Sequence, residues 1–197
     1  MRLASWDGKV SEALFRFAET RVPRRAWVVL EYSGHGLLWI PLALACWPAM
    51  GYDTAERRFW MLLNVTFWLD LICIATLKAM VRRPRPLYTH QQDMYVVAEV
   101  DRYSFPSGHA SRVWEIACVV KLWYPSWTTY VLLWATCTSC SRVALGRHYL
   151  GDVLVGSLMG AALAASLTAK LETIGMLDAW TSEMLEQTKA SQLAWID

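Results

Sequence analysis

The sequence predicts an all-α integral membrane helical bundle, with about five spanning helices and an interfacial amphipathic helix ahead of them. Three observations predict it. The 197 residues are 55% hydrophobic and only 18% charged, with 12 Trp and a mean hydropathy of +0.24, which describes apolar surface facing lipid. Five apolar segments, at 27–50, 60–80, 109–124, 127–144 and 152–170, are long enough, or nearly so, to span a bilayer. The connections between them are short except for 82–105, so residues 1–197 read as one membrane-embedded domain with no boundary, repeat or low-complexity stretch.

Residues 1–25 come first. Trp6, Val10, Leu14 and Phe17 recur at helical spacing with Asp7, Lys9, Glu12, Arg16 and Glu19 between them, the pattern of an amphipathic helix lying in the interface. The first span is interrupted by Ser33-Gly34-His35-Gly36, which marks a kink or a re-entrant turn; His35 has no partner specified by the sequence and reads as structural. The second span closes with the cations and prolines of 78–86, and the third opens at Pro106-Ser107-Gly108-His109. In the fifth, Gly156 and Gly160 form a small face for close helix packing. The tail, 171–197, places Met176, Trp180 and Met184 among acidic residues and suits either the membrane surface or the bundle. The first residues lack a signal-peptide pattern, so insertion is expected to rely on the spans themselves.

Polar residues inside spans are costly. Asp70 and Glu115 are therefore candidates for function, pairing with a cation such as Arg112, but an inter-helix hydrogen bond that holds the bundle is the simpler expectation. The five cysteines, Cys46, Cys73, Cys118, Cys137 and Cys140, lie in apolar stretches and are odd in number, so they read as small hydrophobes; the Cys137-x-x-Cys140 pair lacks the second pair that a zinc site needs.

Three clusters carry chemistry. If the chain turns helical at His148, Asp152 follows one turn on, and its carboxylate can accept a hydrogen bond from one ring nitrogen, leaving the other free to attack. Arg142 supplies a planar donor fork that suits phosphate oxygens. Taken alone, the His148–Asp152 spacing is more often that of a packing pair. Ser107-Gly108-His109 follows a proline as a helix entry, where free amides attract anions, glycine permits close approach, and His109 is in place to act as a general acid. Lys78 and Arg85 close the second span; by themselves they are ordinary positive flanking of a membrane helix. Alternating the five spans brings all three clusters to one membrane side, with the N-terminus on that face and the C-terminus opposite if the first span crosses. Which side that is stays open, because several of the cations that would set it are the same ones that would hold phosphate.

Together the clusters resemble the signature of the type-2 phosphatidic acid phosphatase superfamily, which includes lipid phosphate phosphatases, glucose-6-phosphatase and vanadium haloperoxidases. Lys78 with Arg85-Pro86 is similar to its first motif, Pro106 to His109 to its second, and Ser141-Arg142, His148 and Asp152 to its third. The wording around these motifs, from Asp101 to Arg112 and from Ser141 to His148, further resembles the small eukaryotic polyisoprenoid, or presqualene, diphosphate phosphatases. The resemblance implies a metal-independent hydrolysis without cofactor. Lys78, Arg85 and Arg142, with the amides of Ser107 and Gly108, would bind the phosphoryl oxygens; His148, oriented by Asp152, would form a phosphohistidine; and His109 would protonate the leaving oxygen. It also implies a lipid phosphate or diphosphate substrate and a place in the endoplasmic reticulum or nuclear envelope of a eukaryote. Phosphatidate or another lipid monophosphate is the alternative substrate, and a silent membrane adaptor of the same fold the alternative role, though every motif position is present. The net charge of +2 is too small for a nucleic-acid partner, membrane lipid is the expected surroundings, and a homo-oligomer is compatible with the sequence.

Overall fold

A backbone in lipid must satisfy its N–H and C=O groups within its own segment, so apolar spans become helices. In the computed structural model, which describes residues 2–51, 54–88 and 102–173, they are α1 (Arg2–Arg21), α2 (Arg24–Ser33), α3 (Gly36–Ala49), α4 (Ala55–Val81), α5 (Gly108–Trp123), α6 (Thr128–Ala144) and α7 (Leu150–Thr173). Among the described residues there is no strand. The protein is an integral membrane helical bundle. Arg24–Ala49, Ala55–Val81 and Leu150–Leu171 are long and apolar enough to cross a bilayer. The two shorter expected spans become α5 and α6, of 16 and 17 residues, and α5 lies in the middle, packed against α7, α6 and α4.

The first apolar segment is broken as its glycines foretold. Gly34 caps α2, and His35 caps α3 by accepting a hydrogen bond from Leu37 N at 3.1 Å. A Cβ on Gly34 would lie 2.7 Å from both Thr138 Cγ2 and Val113 Cγ1, so a larger residue would push α2 away from α5 and α6. Trp39 Nε1 donates to the Ser33 carbonyl at 2.6 Å and Trp134 Nε1 to the Ser33 hydroxyl at 2.9 Å, which ties the break to the bundle.

Close packing positions the rest. A Cβ on Gly156 or Gly160 would collide with the carbonyl oxygen of Ser107 or Ser111, so α7 rests backbone to backbone on α5. Ser111 Oγ donates to Asp70 Oδ1 at 2.5 Å, and Arg112 Nη2 stands 3.8 Å from Asp70 Oδ2, an inter-helix link between α4 and α5. Glu115 is buried nearby, with no hydrogen-bond partner for either oxygen among the described residues. Beyond it, Ala43, Phe59, Leu63, Phe67, Ile116 and Trp123 form the main apolar core, held by van der Waals contact because lipid offers no hydrophobic gain.

The amphipathic helix expected over 1–25 is α1, but its apolar stripe is not the face it turns inward. Ser11, Phe15 and Ala18 are buried against α6 and α7, while Trp6, Leu14 and Phe17 stay exposed. Phe15, with the small Ser11 and Ala18, makes the inner contact, and three of the four stripe residues are left exposed. The tail expected to be amphipathic lies outside the described residues from 174 onward.

Candidate active site

The polar end of the bundle is assembled from three chain segments. Lys78 lies buried in the last turn of α4, and Arg82, in the left-handed conformation at φ 49°, ends that helix and turns the chain. Pro84 and Pro86 then prevent the chain from resuming a helix. The segment before α5 is stitched to this stretch: Ser104 N donates to the Arg83 carbonyl at 2.9 Å and Ser104 Oγ to the Pro84 carbonyl at 3.0 Å. Ser107 then caps α5, its hydroxyl accepting from Ala110 N at 3.4 Å.

The third segment is the turn between α6 and α7. Its reversal needs Gly146, at φ 69° beneath the rings of Tyr88 and Phe15, where a side chain would be both strained and crowded. The amides of Arg147 and His148 both donate to the Arg142 carbonyl, at 2.9 and 3.2 Å, which fixes His148 over the end of α6.

His148 is almost fully buried, and its Nδ1 lies 2.6 Å from the Ser104 carbonyl oxygen. A carbonyl only accepts, so Nδ1 carries the proton and Nε2 keeps its lone pair. The carboxylate expected in this role stands elsewhere: Asp152 Oδ2 is 3.8 Å from Nδ1, beyond hydrogen-bond reach. The reason is local. The helix starts at Leu150, not at His148, so the pair never forms the one-turn stack that the spacing suggests. Asp152 is instead the third helical residue of α7, and it reaches back to accept from Tyr149 N at 2.9 Å as in a capping box. Its other oxygen accepts from Arg83 Nη1 at 2.7 Å.

Burial, followed by the positive charges of Arg85, Arg142 and Lys78, holds the His148 imidazole well below its ordinary 6.5, while its bond to the Ser104 carbonyl opposes the shift. The ring is therefore neutral at physiological pH. Arg142 Nη1 bonds Glu31 Oε1, which Arg147 Nε also approaches at 3.3 Å, and Arg85 Nη1 donates to the Arg147 carbonyl at 3.0 Å. His109, in the first turn of α5, has a buried Nε2 with no hydrogen-bond partner among the described residues and a ring 5.0 Å from that of His35, edge to face.

The structure thus brings Lys78, Arg85, Ser107, Gly108, His109, Arg142, His148 and Asp152 to one end of the bundle. One expected donor is already engaged: Ser107 N gives its hydrogen bond to the Asp152 carbonyl at 3.0 Å, because α7 packs that tightly on the start of α5. The Gly108 amide, in the first helical turn, has no partner within its helix. Sequence reasoning missed Ser104, Glu31, Arg83, Arg147, Asp7 and Ser11. Glu31 was detectable as a carboxylate inside an apolar segment. Arg83 and Arg147 stand beside motif residues without occupying motif positions, and a backbone carbonyl such as that of Ser104 leaves no mark on residue type. Among the described residues, no group of three or more His, Cys, Asp or Glu side chains is placed to hold a metal ion.

Fold and site together define a membrane-embedded helical enzyme whose polar end gathers cations around a neutral imidazole. The chain belongs to the PAP2 superfamily, whose model matches residues 59–175, a stretch containing every expected site residue. It is 31% identical, over 78% of its own length and 83% of the relative's, to the "Probable lipid phosphate phosphatase beta" of Arabidopsis thaliana. To the "Undecaprenyl-diphosphatase" of Sulfolobus acidocaldarius it is 26% identical, over 75% of its own length and 70% of that protein. The crystal structure of a transmembrane PAP2-type phosphatidylglycerolphosphate phosphatase from Bacillus subtilis shares the fold, with a TM-score of 0.71 over 88% of each chain at 22% identity. The chain is a phosphatase of this superfamily.

Proposed function

We propose that the protein is a metal-independent membrane lipid phosphatase that hydrolyses isoprenoid diphosphates of the farnesyl or presqualene type through a phosphohistidine. One observation carries this reading: a buried, neutral His148 whose Nδ1–H is committed to the Ser104 carbonyl, with its lone pair on Nε2 and the charges of Lys78, Arg85 and Arg142 beside it. Nε2 attacks the terminal phosphorus while the bond to the bridging oxygen breaks, and His109, protonated once the negative charge of the bound diphosphate offsets the neighbouring cations, gives that oxygen its proton. The new N–P bond leaves positive charge on the ring, stabilised by the Ser104 carbonyl and the nearby Asp152 carboxylate. Water, losing a proton to His109, then displaces His148 and frees inorganic phosphate. The three cations and the Gly108 amide neutralise the charge on the equatorial oxygens.

The isoprenoid tail is supported by the residues flanking the motifs and by the similarity to an undecaprenyl-diphosphatase. A lipid monophosphate is the second reading, supported by the Arabidopsis thaliana relative. Phosphate release by detergent-solubilised protein from farnesyl, geranylgeranyl and presqualene diphosphates, phosphatidate and sphingosine phosphate, in excess EDTA, tests both. Isoprenoid diphosphates should give the higher kcat/KM, and orthovanadate should inhibit as a mimic of the trigonal transition state. A tenfold preference for phosphatidate in matched detergent would reassign the substrate, and activity that needs added magnesium would reject the metal-free route. In a eukaryotic cell we assign the enzyme to the endoplasmic reticulum or nuclear envelope, which imaging of the tagged protein checks.

A further inference from the structure

The first turn of α7 carries the third motif's aspartate, yet its cap residue, Tyr149, has no side-chain acceptor to offer the helix amides. The acceptors come from α1, well outside the residues that match the superfamily model. Leu150 N donates to Ser11 Oγ at 2.8 Å and Gly151 N to Asp7 Oδ1 at 3.0 Å. A Cβ on Gly151 would lie 3.0 Å from Asp7 Oδ2, so the glycine admits the carboxylate at close range. That same Oδ2 accepts from Arg83 Nη2 at 2.7 Å, while Arg83 Nη1 donates to Asp152 Oδ1 at 2.7 Å. The guanidinium carbon stacks 3.9 Å from the centre of the Tyr149 ring, next in sequence to His148.

We propose that Asp7 and Ser11 are positioning residues for the chemistry at His148, acting through the first turn of α7 and through an Arg83 fork that spans two carboxylates. The inference rests on the phosphatase reading above. Asp7 fixes one arm of the Arg83 fork, and the other arm fixes Asp152. Asp152 and Ser11 in turn hold the backbone of Tyr149 and Leu150, which sets the direction in which His148 leaves the turn. A guanidinium suits this task because its planar donors can serve two carboxylates at once, which an ammonium cannot do with fixed geometry. The site is complete only with α1 seated on it. A merely amphipathic anchor would not need a buried serine and a carboxylate on its inner face.

The test uses the full chain in detergent, with turnover measured on the best substrate of the panel. Asp7→Asn keeps the shape but weakens the hold on Arg83, and should lower kcat ten- to hundred-fold, as a small misplacement of a reacting group does, with KM within about two-fold. Asp7→Glu should recover part of the loss, and Ser11→Ala should show a smaller loss of the same kind. The double variant Asp7→Asn with Arg83→Gln should be no slower than Arg83→Gln alone. Spectra of ¹⁵N-histidine protein, assigned with His148→Gln, should show the His148 ring nitrogens displaced in Asp7→Asn. Wild-type kcat in Asp7→Asn, or losses that multiply in the double variant, would overturn the proposal. If the wild type turned over nothing in the panel, the functional reading would fail by itself. An unmoved His148 resonance would then sink the positioning role, and a displaced one would uphold it.

Discussion

Buried charge is treated in two ways in this bundle. At the polar end, among the described residues, the cations Lys78, Arg83, Arg85, Arg142 and Arg147 stand among three carboxylates, Asp7, Glu31 and Asp152, each of which is bonded to an arginine. In mid-bundle a single guanidinium, Arg112, stands with two carboxylates, Asp70 and Glu115, and Glu115 finds no hydrogen-bond partner among the described residues. Among the described residues the first group holds five cations to three carboxylates, the balance that the proposed phosphate site calls for. The second carries no such surplus and links α4 to α5.

Substitutions should separate the two groups sharply. The largest effect is expected from His148→Ala, which removes the proposed nucleophile and should cut phosphate release by more than ~10⁴-fold while leaving the melting temperature near that of the wild type. An active His148→Ala protein would erase the distinction. His109→Ala should cost on the order of 10²–10⁴ with a lipid substrate, but far less with p-nitrophenyl phosphate, whose leaving group needs little protonation. Equal losses on both would remove His109 from the acid role.

Asp152→Asn should come next. Where a carboxylate alone fixes the tautomer of a catalytic histidine, its amide costs about 10⁴; here the Ser104 carbonyl fixes it, so roughly 10² is expected. A loss as deep as that of His148→Ala would show that the carbonyl does not suffice.

The pH profile sharpens the comparison further. Because burial and the neighbouring cations depress the His148 pKa, the acid limb of kcat/KM should lie below pH 6.5, where an ordinary imidazole would already be half protonated. The same depression means that the unfolded chain takes up this proton more readily than the folded one, so the contribution of His148 to stability is present above pH 6.5 and is lost as pH falls towards the folded pKa. An acid limb at or above 6.5 would contradict a cation-lined pocket. The smallest catalytic effect is expected in mid-bundle: Asp70→Asn should leave kcat within about two-fold yet lower the melting temperature by a few degrees, as the loss of roughly 1 kcal/mol does. A hundred-fold fall in kcat there would make the mid-bundle group part of the reaction.

The sequence by itself determined the apolar segments, the break at Ser33–Gly36, the close face of Gly156 and Gly160, and the gathering of three motif clusters at one end. Those features are local or come from counting spans, and periodicity and steric size are properties of residue type. Tertiary structure alone decided what each polar group touches. His148 meets the carbonyl of Ser104, 44 residues away, because the turn after α6 keeps the imidazole out of the helix that carries Asp152. Gly151 is capped by Asp7 across 144 residues of chain, because α1 seats Asp7 and Ser11 against the first turn of α7. Every backbone unit offers the same carbonyl and nearly every one the same amide, so only the packing of helices selects which of them is reached.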